Sequence, residues 1–203
     1  MSQFVVHSIP GSPFGQAVLA TLEEKGAPYR LSPVAAGTFR SPEHLARHPF
    51  GKVPVLEHGG FWIYETQAIL RYLDRVLPAP PLTPKDPRTA GRMDQLMNIN
   101  DCYLFQGTGA VITFQRIVGP RLIGMTPDEA AITEAMPRAH TVFGELARLL
   151  GDQTYFVGAT PSLADLLLAP LMQFSASRRN TQSWARLIPT WSPGWSGWKR
   201  GPA

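Results

Sequence analysis

The sequence predicts an α+β fold in two units, a small mixed sheet with its helices followed by an all-helical unit. Three observations carry this. Apolar runs of strand length alternate with stretches of helical periodicity as far as residue 77. A proline-rich segment then interrupts the pattern over residues 78–87. From residue 88 to about 175 no convincing pair of strands recurs, and the start and stop signals are those of helices.

Taken in order, residues 4–8, centred on Val5-Val6, read as a short buried strand. Ser12-Pro13 then opens a helix that runs to Gly26. Serine is a good N-cap, proline suits the first helical turn, and glycine suits the C-terminal stop. Pro28-Tyr29-Arg30-Leu31 supplies a second strand, and Ser41-Pro42-Glu43-His44 repeats the serine–proline start for a short second helix. Val55-Leu56-Glu57-His58 and Phe61-Trp62-Ile63-Tyr64 flank Gly59-Gly60, the strongest hairpin signal in the chain. From Thr66, the apolar Ile69, Leu70, Leu73, Val76 and Leu77 fall at helical spacing and stop at Pro78.

This order, βαβ-α-ββα, joins one parallel crossover to one hairpin, the layout of a thioredoxin-like domain over residues 1–77. By composition the segment 78–87 is a stiff, extended linker. The helical unit over 88–176 shows a break at Gly119-Pro120, a start at Thr126-Pro127-Asp128-Glu129, and another at Ser162-Leu163-Ala164-Asp165. In the last of these a serine is followed three residues later by an acid. Asp165 is therefore expected to cap a helix and not to act as a catalytic acid.

Composition narrows the function classes. With 44% hydrophobic and 17% charged residues the chain is an ordinary globule. It contains no apolar run near the ~20 residues needed to cross a bilayer and no N-terminal leader pattern, so no membrane partner and a cytoplasmic location are expected. A single cysteine, Cys102, excludes internal disulfides and any Cys-x-x-Cys site, and His7, His44, His48, His58 and His140 show no metal-ligand spacing. No metal is expected. The net charge of +4 is spread along the chain, with Arg178-Arg179 and Lys199-Arg200 the pairs near the C-terminus. It is expected to be solvated surface and not a nucleic-acid footprint.

Three stretches in order carry a family resemblance. His48-Pro49-Phe50-Gly51-Lys52-Val53-Pro54 resembles the Asn-Pro-x-Gly-x-Val-Pro segment of cytosolic glutathione transferases, with His48 in place of the usual Asn. Tyr64-Glu65-Thr66-Gln67-Ala68-Ile69 resembles the family's Glu-Ser-x-Ala-Ile, with Thr66 in place of Ser, and Ser162 to Asp165 matches the capping motif of its helical domain. The resemblance covers roughly residues 4–175 and implies a thioredoxin-like domain followed by the all-helical C-terminal domain of that family. Counting back from Val18, Ser12 falls where the serine-type phi and theta-like classes carry their catalytic serine, and no tyrosine precedes Tyr29. Many phi members have Ala-Ser-Thr where this chain has Gly11-Ser12-Pro13.

The roles that follow are implied by the resemblance. Glutathione is the co-substrate, and Ser12 stands beside its sulfur. A thiol of pKa ~8.5 is mostly protonated at neutral pH, and lowering it by about two units converts nearly all of it to the nucleophile. Ser12 can also be a plain N-cap worth about 1 kcal/mol, and the two roles are compatible, because a cap hydroxyl accepts from the backbone and donates its own proton outward. Pro54 follows a cis bond from Val53 that meets the cysteinyl part of the tripeptide. Thr66 holds the γ-glutamyl carboxylate at a helix N-terminus, and Glu65 takes the ammonium group. Phe39-Arg40 and Lys52 fall where related enzymes meet the glycine carboxylate. Phe50 is expected at a homodimer contact. A small hydrophobic electrophile would meet the helical unit, with Tyr103, Phe105 and Phe114 as unassigned aromatics.

The expected activity is glutathione transfer to such electrophiles. The alternatives are a glutathione-binding or partner-binding protein of the same fold, or a glutathione-dependent isomerase or dehalogenase. Residues 177–203 depart from the family pattern and hold four of the five tryptophans. Codons can be chosen for residues 184–203 so that reading one base earlier yields a peptide of helical apolar spacing, so this tail is expected to be an out-of-frame end.

Overall fold

The computed structural model describes residues 3–176. Its first half is a four-stranded sheet in the order β2-β1-β3-β4. Strand β1 (Phe4–Ser8) is central and buried along its whole length. It pairs in parallel with β2 (Tyr29–Pro33), placing Val6 opposite Leu31, and antiparallel with β3 (Val55–His58), placing Val6 opposite Leu56. Strand β4 (Phe61–Tyr64) closes the hairpin around Gly59 and Gly60, whose φ values of 58° and 84° suit a turn that a side chain would strain.

Helix α1 (Pro13–Glu24) follows β1 and ends at Gly26, φ 59°. Helix α2 (Pro42–Arg47) is capped by Ser41, whose hydroxyl accepts from the His44 N–H at 3.2 Å. Helix α3 (Thr66–Val76) buries Ile69, Leu70 and Leu73 on one face. These join Val6, Ala17, Leu22 and Leu56 in the apolar layer between the sheet and α1 and α3.

In the second half, α4 (Pro87–Ile99) continues without a break into a π-helical segment, Asn100–Val118. At its end the Gly119 N–H bonds the Phe114 carbonyl, five residues back. Then come α5 (Gly119–Ile123), α6 (Glu129–Leu150) and α7 (Leu163–Ala176). Helix α7 fills the centre of the molecule, with Leu163, Leu166 and Leu167 sealed between α1, α4 and the π-helical segment. Asp165 behaves as a cap: its carboxylate accepts from the Ser162 N–H at 2.9 Å, the Ser162 hydroxyl at 2.6 Å and the Phe156 N–H at 2.9 Å.

One expectation changes. The break expected at Gly119-Pro120 is only a change of winding from π to α. Pro120 lies in the first turn of α5, where its missing N–H costs little, and the chain turns away at Gly124, φ 63°. The segment 78–87, expected to be a stiff, extended linker, is bonded to the elements on both sides of it. The Asp74 carboxylate accepts from the Leu82 N–H at 2.9 Å and from the Thr83 hydroxyl at 2.5 Å, and Lys25 Nζ donates to the Pro80 carbonyl. Leu82 is buried as a result, and its carbonyl receives the Leu163 N–H at 3.1 Å, tying the segment to α7. The expected out-of-frame tail lies outside the described residues.

Candidate active site

Three chain segments converge where the sheet domain meets the helical domain. The turn from β1 to α1 is closed by the Ser12 N–H on the Ile9 carbonyl at 3.1 Å, with Gly11 at φ 82°. Ser12 is the N-cap of α1, and its hydroxyl oxygen accepts from the Gly15 N–H at 3.3 Å. The loop after α2 is folded by its own groups: the Gly51 N–H bonds the His48 carbonyl at 2.9 Å, and His44 Nε2 meets the Lys52 carbonyl at 2.9 Å. This loop delivers Val53 and Pro54, joined by a cis peptide bond, to the mouth of β3.

The third segment is the start of α3. Glu65 is the N-cap residue at φ 70°, ψ 113°, a region that costs a non-glycine residue on the order of 1–3 kcal/mol. Its side chain makes no capping bond. Among the described residues no side chain caps the first N–H groups of α3, so the helix presents an open, electropositive end at the buried Thr66.

These segments and the helical domain form a cleft lined by His48, Lys52, Val53, Pro54, Glu65 and Thr66 on one side. The other side is lined by Phe14, Asp101, Phe105 and Gln106. Phe14 and Phe105 meet edge to face at 4.6 Å and 85° and form its apolar side. Asp101 is held from two directions, Gln67 Nε2 donating to Oδ2 at 2.7 Å and Asn100 Nδ2 to Oδ1 at 2.9 Å. Burial pushes the His48 imidazole below its ordinary pKa, the nearby Glu65 opposing this and His44 and Lys52 adding to it.

The cleft thus gathers Lys52, Val53, Pro54, Glu65 and Thr66 from the sequence expectations. Ser12 stands half-buried two residues before Phe14 and does not itself line the cleft. Phe39 and Arg40 also lie outside the lining, packed behind the loop: the Phe39 ring meets His44 at 5.7 Å, and the Phe39 carbonyl lies against Gly51. Phe105 lines it, whereas Tyr103 and Phe114 are exposed outside the lining. Phe14, His48, Asp101 and Gln106 were not singled out as site residues by sequence reasoning. His48 stood inside the matched loop as a departure from the usual Asn. Asp101 gave no local signal, since its partner Gln67 is 34 residues away.

Family models describe both halves of the chain: the glutathione S-transferase N-terminal domain over residues 11–76 and its C-terminal domain over residues 107–182. Glutathione S-transferase hmp2 of Hypomyces subiculosus is 36% identical over 163 residues, 75% of this chain and 74% of that one. A probable glutathione S-transferase, GSTF2, of Oryza sativa subsp. japonica is 30% identical over 150 residues, 73% of this chain and 69% of its own length. Among solved structures, glutathione transferase F7 from Populus trichocarpa superposes with a TM-score of 0.83 at 24% identity, covering 95% of this chain and 93% of that one, and speaks for the fold. With both halves matched in order and relatives at this identity spanning more than two thirds of their own length, the chain belongs to the glutathione S-transferase family.

Proposed function

We propose that this glutathione transferase is of the serine type, related to the phi and theta-like classes, and that Ser12 activates the thiol of bound glutathione. The observation that carries the reading is the uncapped N-terminus of α3, opening at Thr66 into the same cleft as Lys52, Val53 and Pro54. An open helix end of this kind receives a carboxylate. Thr66 then holds the γ-glutamyl carboxylate, Glu65 its ammonium group, and Val53-Pro54 the cysteinyl backbone. Lys52, with Arg40 reaching from behind the loop, takes the glycine carboxylate. Ser12 accepts from Gly15 and so keeps its own proton for the sulfur, close to the positive end of α1. The thiolate attacks an electrophilic carbon held against Phe14 and Phe105, and the leaving group departs with the bonding electrons.

In this reading residues 1–77 bind glutathione, 78–87 join the units, and 88–176 supply the electrophile side. The loop aromatic Phe50, 61% exposed, supports a homodimer contact. No helix of the described residues is long and apolar enough to cross a membrane, in keeping with a cytoplasmic enzyme.

The test is a titration of bound glutathione by thiolate absorbance. The wild-type thiol should titrate well below its free value of ~8.5, and Ser12→Ala should raise it by about 1–2 units, the worth of one hydrogen bond to a charged group. Identical values in the two proteins would remove Ser12 from the mechanism. Retention on immobilised glutathione without turnover of an aryl halide would favour ligand binding without transfer.

A further inference from the structure

His48 is a polar residue of the cleft wall that the proposed glutathione contacts do not include. It is 2% exposed, and its Nδ1 finds no hydrogen-bond partner among the described residues. An unpaired polar atom in that position carries a desolvation cost that an apolar side chain of similar size would avoid. Packing alone does not call for an imidazole either. The ring lies on Tyr64 at 4.6 Å and meets Phe50 edge-on at 6.1 Å, contacts a phenyl ring would keep. Yet the residue forms part of the cleft wall beside Lys52 and Val53. A half-turn about χ2 exchanges its two edges with no change in packed volume, so a nitrogen can face the cleft once a ligand supplies a partner.

We propose that His48 is a glutathione-binding residue, its imidazole donating a hydrogen bond to the glycine carboxylate alongside Lys52. This rests on the cleft being the glutathione site. Two neighbouring features favour an anion here. His44 Nε2 is engaged at the Lys52 carbonyl, which orients the loop, and Lys52 supplies a cation on the same wall. Around the ring stand Glu65, which favours its charged form, His44 and Lys52, which oppose it, and the Tyr64 phenol tilted against it at 31°. With burial added, His48 is neutral at neutral pH and offers one N–H donor. A carboxylate is the acceptor that gains most from such a donor in a desolvated wall.

Calorimetric titrations with glutathione and with γ-glutamylcysteine, which lacks the glycine, separate contact from scaffolding. His48→Phe should bind glutathione about 10-fold more weakly, as expected for one lost hydrogen bond to a charged group, and γ-glutamylcysteine unchanged. His48→Asn, whose amide nitrogen stands where Nδ1 does, should stay within about 3-fold of wild type. Wild-type affinity for glutathione in His48→Phe, an equal loss for both ligands, or an Asn variant as weak as the Phe variant would each overturn the assignment. If His48→Phe does not fold, the His48 ring nitrogen resonances of wild type, identified by their loss in His48→Asn, decide. They should move with glutathione and not with the dipeptide, and static resonances overturn the proposal. A wild-type protein that binds neither ligand overturns the glutathione reading of the cleft itself, and the His48 assignment with it.

Discussion

Asp74 carries the stability of three segments on one carboxylate. Lys25 Nζ, with its side chain fully buried, donates to it at 2.5 Å, and Leu82 and Thr83 complete its shell. Removing one partner of a buried pair strands the other, so Lys25→Met should lower stability by about 3–5 kcal/mol in a denaturant titration, far beyond any loss at the exposed Arg47–Glu43 pair. Burial alone would raise the Asp74 pKa, but the bonds from Lys25, Thr83 and the Leu82 N–H outweigh it and hold it below the ordinary value of 3.8. The group's contribution is therefore present above the ordinary carboxylate range and lost as pH falls through the lowered value. Thermal melts should show that acid loss in wild type and a flatter profile in Asp74→Asn. Glu65 has the opposite balance. At φ 70° it stores strain and its side chain caps nothing, so Glu65→Gly should leave the melting temperature no lower while weakening glutathione binding by roughly 10-fold or more. A variant that melts earlier and binds normally would assign Glu65 a folding role instead.

Helix α1 shows how an element is tuned to its neighbour. Gly15 lies inside it, where alanine would ordinarily gain about 1 kcal/mol of helix propensity. A Cβ there would sit 2.2 Å from Ser8 Oγ and 3.0 Å from Ser8 Cβ, and Ser8 is sealed in the central strand. Gly15→Ala should therefore destabilise by about 1–3 kcal/mol. Ser8→Ala should recover part of that loss in the double variant, and strict additivity of the two substitutions would contradict the clash. The clash also marks what the chain could reveal unaided. The caps of α1 and α2 and the Gly59-Gly60 hairpin were legible because each is made by residues within four positions of one another, where side-chain chemistry dictates backbone geometry. The contact of Ser8 with Gly15 was not, since it depends on the angle at which the helix returns over the sheet. The same holds for the site: Val53-Pro54 and Glu65-Thr66 were visible as local motifs, while Asp101 and Gln106 enter the cleft only through the packing of the second domain. The winding of Asn100–Val118 as a π-helix had no local signature, and Pro120 drew attention to the wrong side of Gly124.

At the level of the whole molecule, the two domains do not each own a core. One apolar cluster contains Val6, Leu22 and Leu70 from the sheet domain together with Met93, Leu96, Leu146 and Leu167 from the helices. Helix α1 packs on α7 as well as on the sheet, so its buried face is shared between partners that lie on opposite sides of the linker. Polar groups reinforce the seam: Arg71 binds Asp94 at 2.7 Å, Gln67 donates to the Met97 carbonyl at 2.8 Å, and Leu163 is bonded to Leu82. Cutting the chain after residue 77 would leave apolar faces of α1 and α3 in water, at a cost of about 25 cal/mol for each Å² exposed. A unit of that size has little core in reserve. The isolated fragment 1–77 should therefore lack cooperative unfolding and bind an apolar dye, while the full chain unfolds in a single calorimetric transition whose van't Hoff and calorimetric enthalpies agree. Saturating glutathione should move that one transition upward as a whole, because ligand bound to residues of the sheet domain also stabilises the helices that share its core. Two separable transitions, with only the earlier or the later one responding to glutathione, would show that the seam is a contact between independent domains.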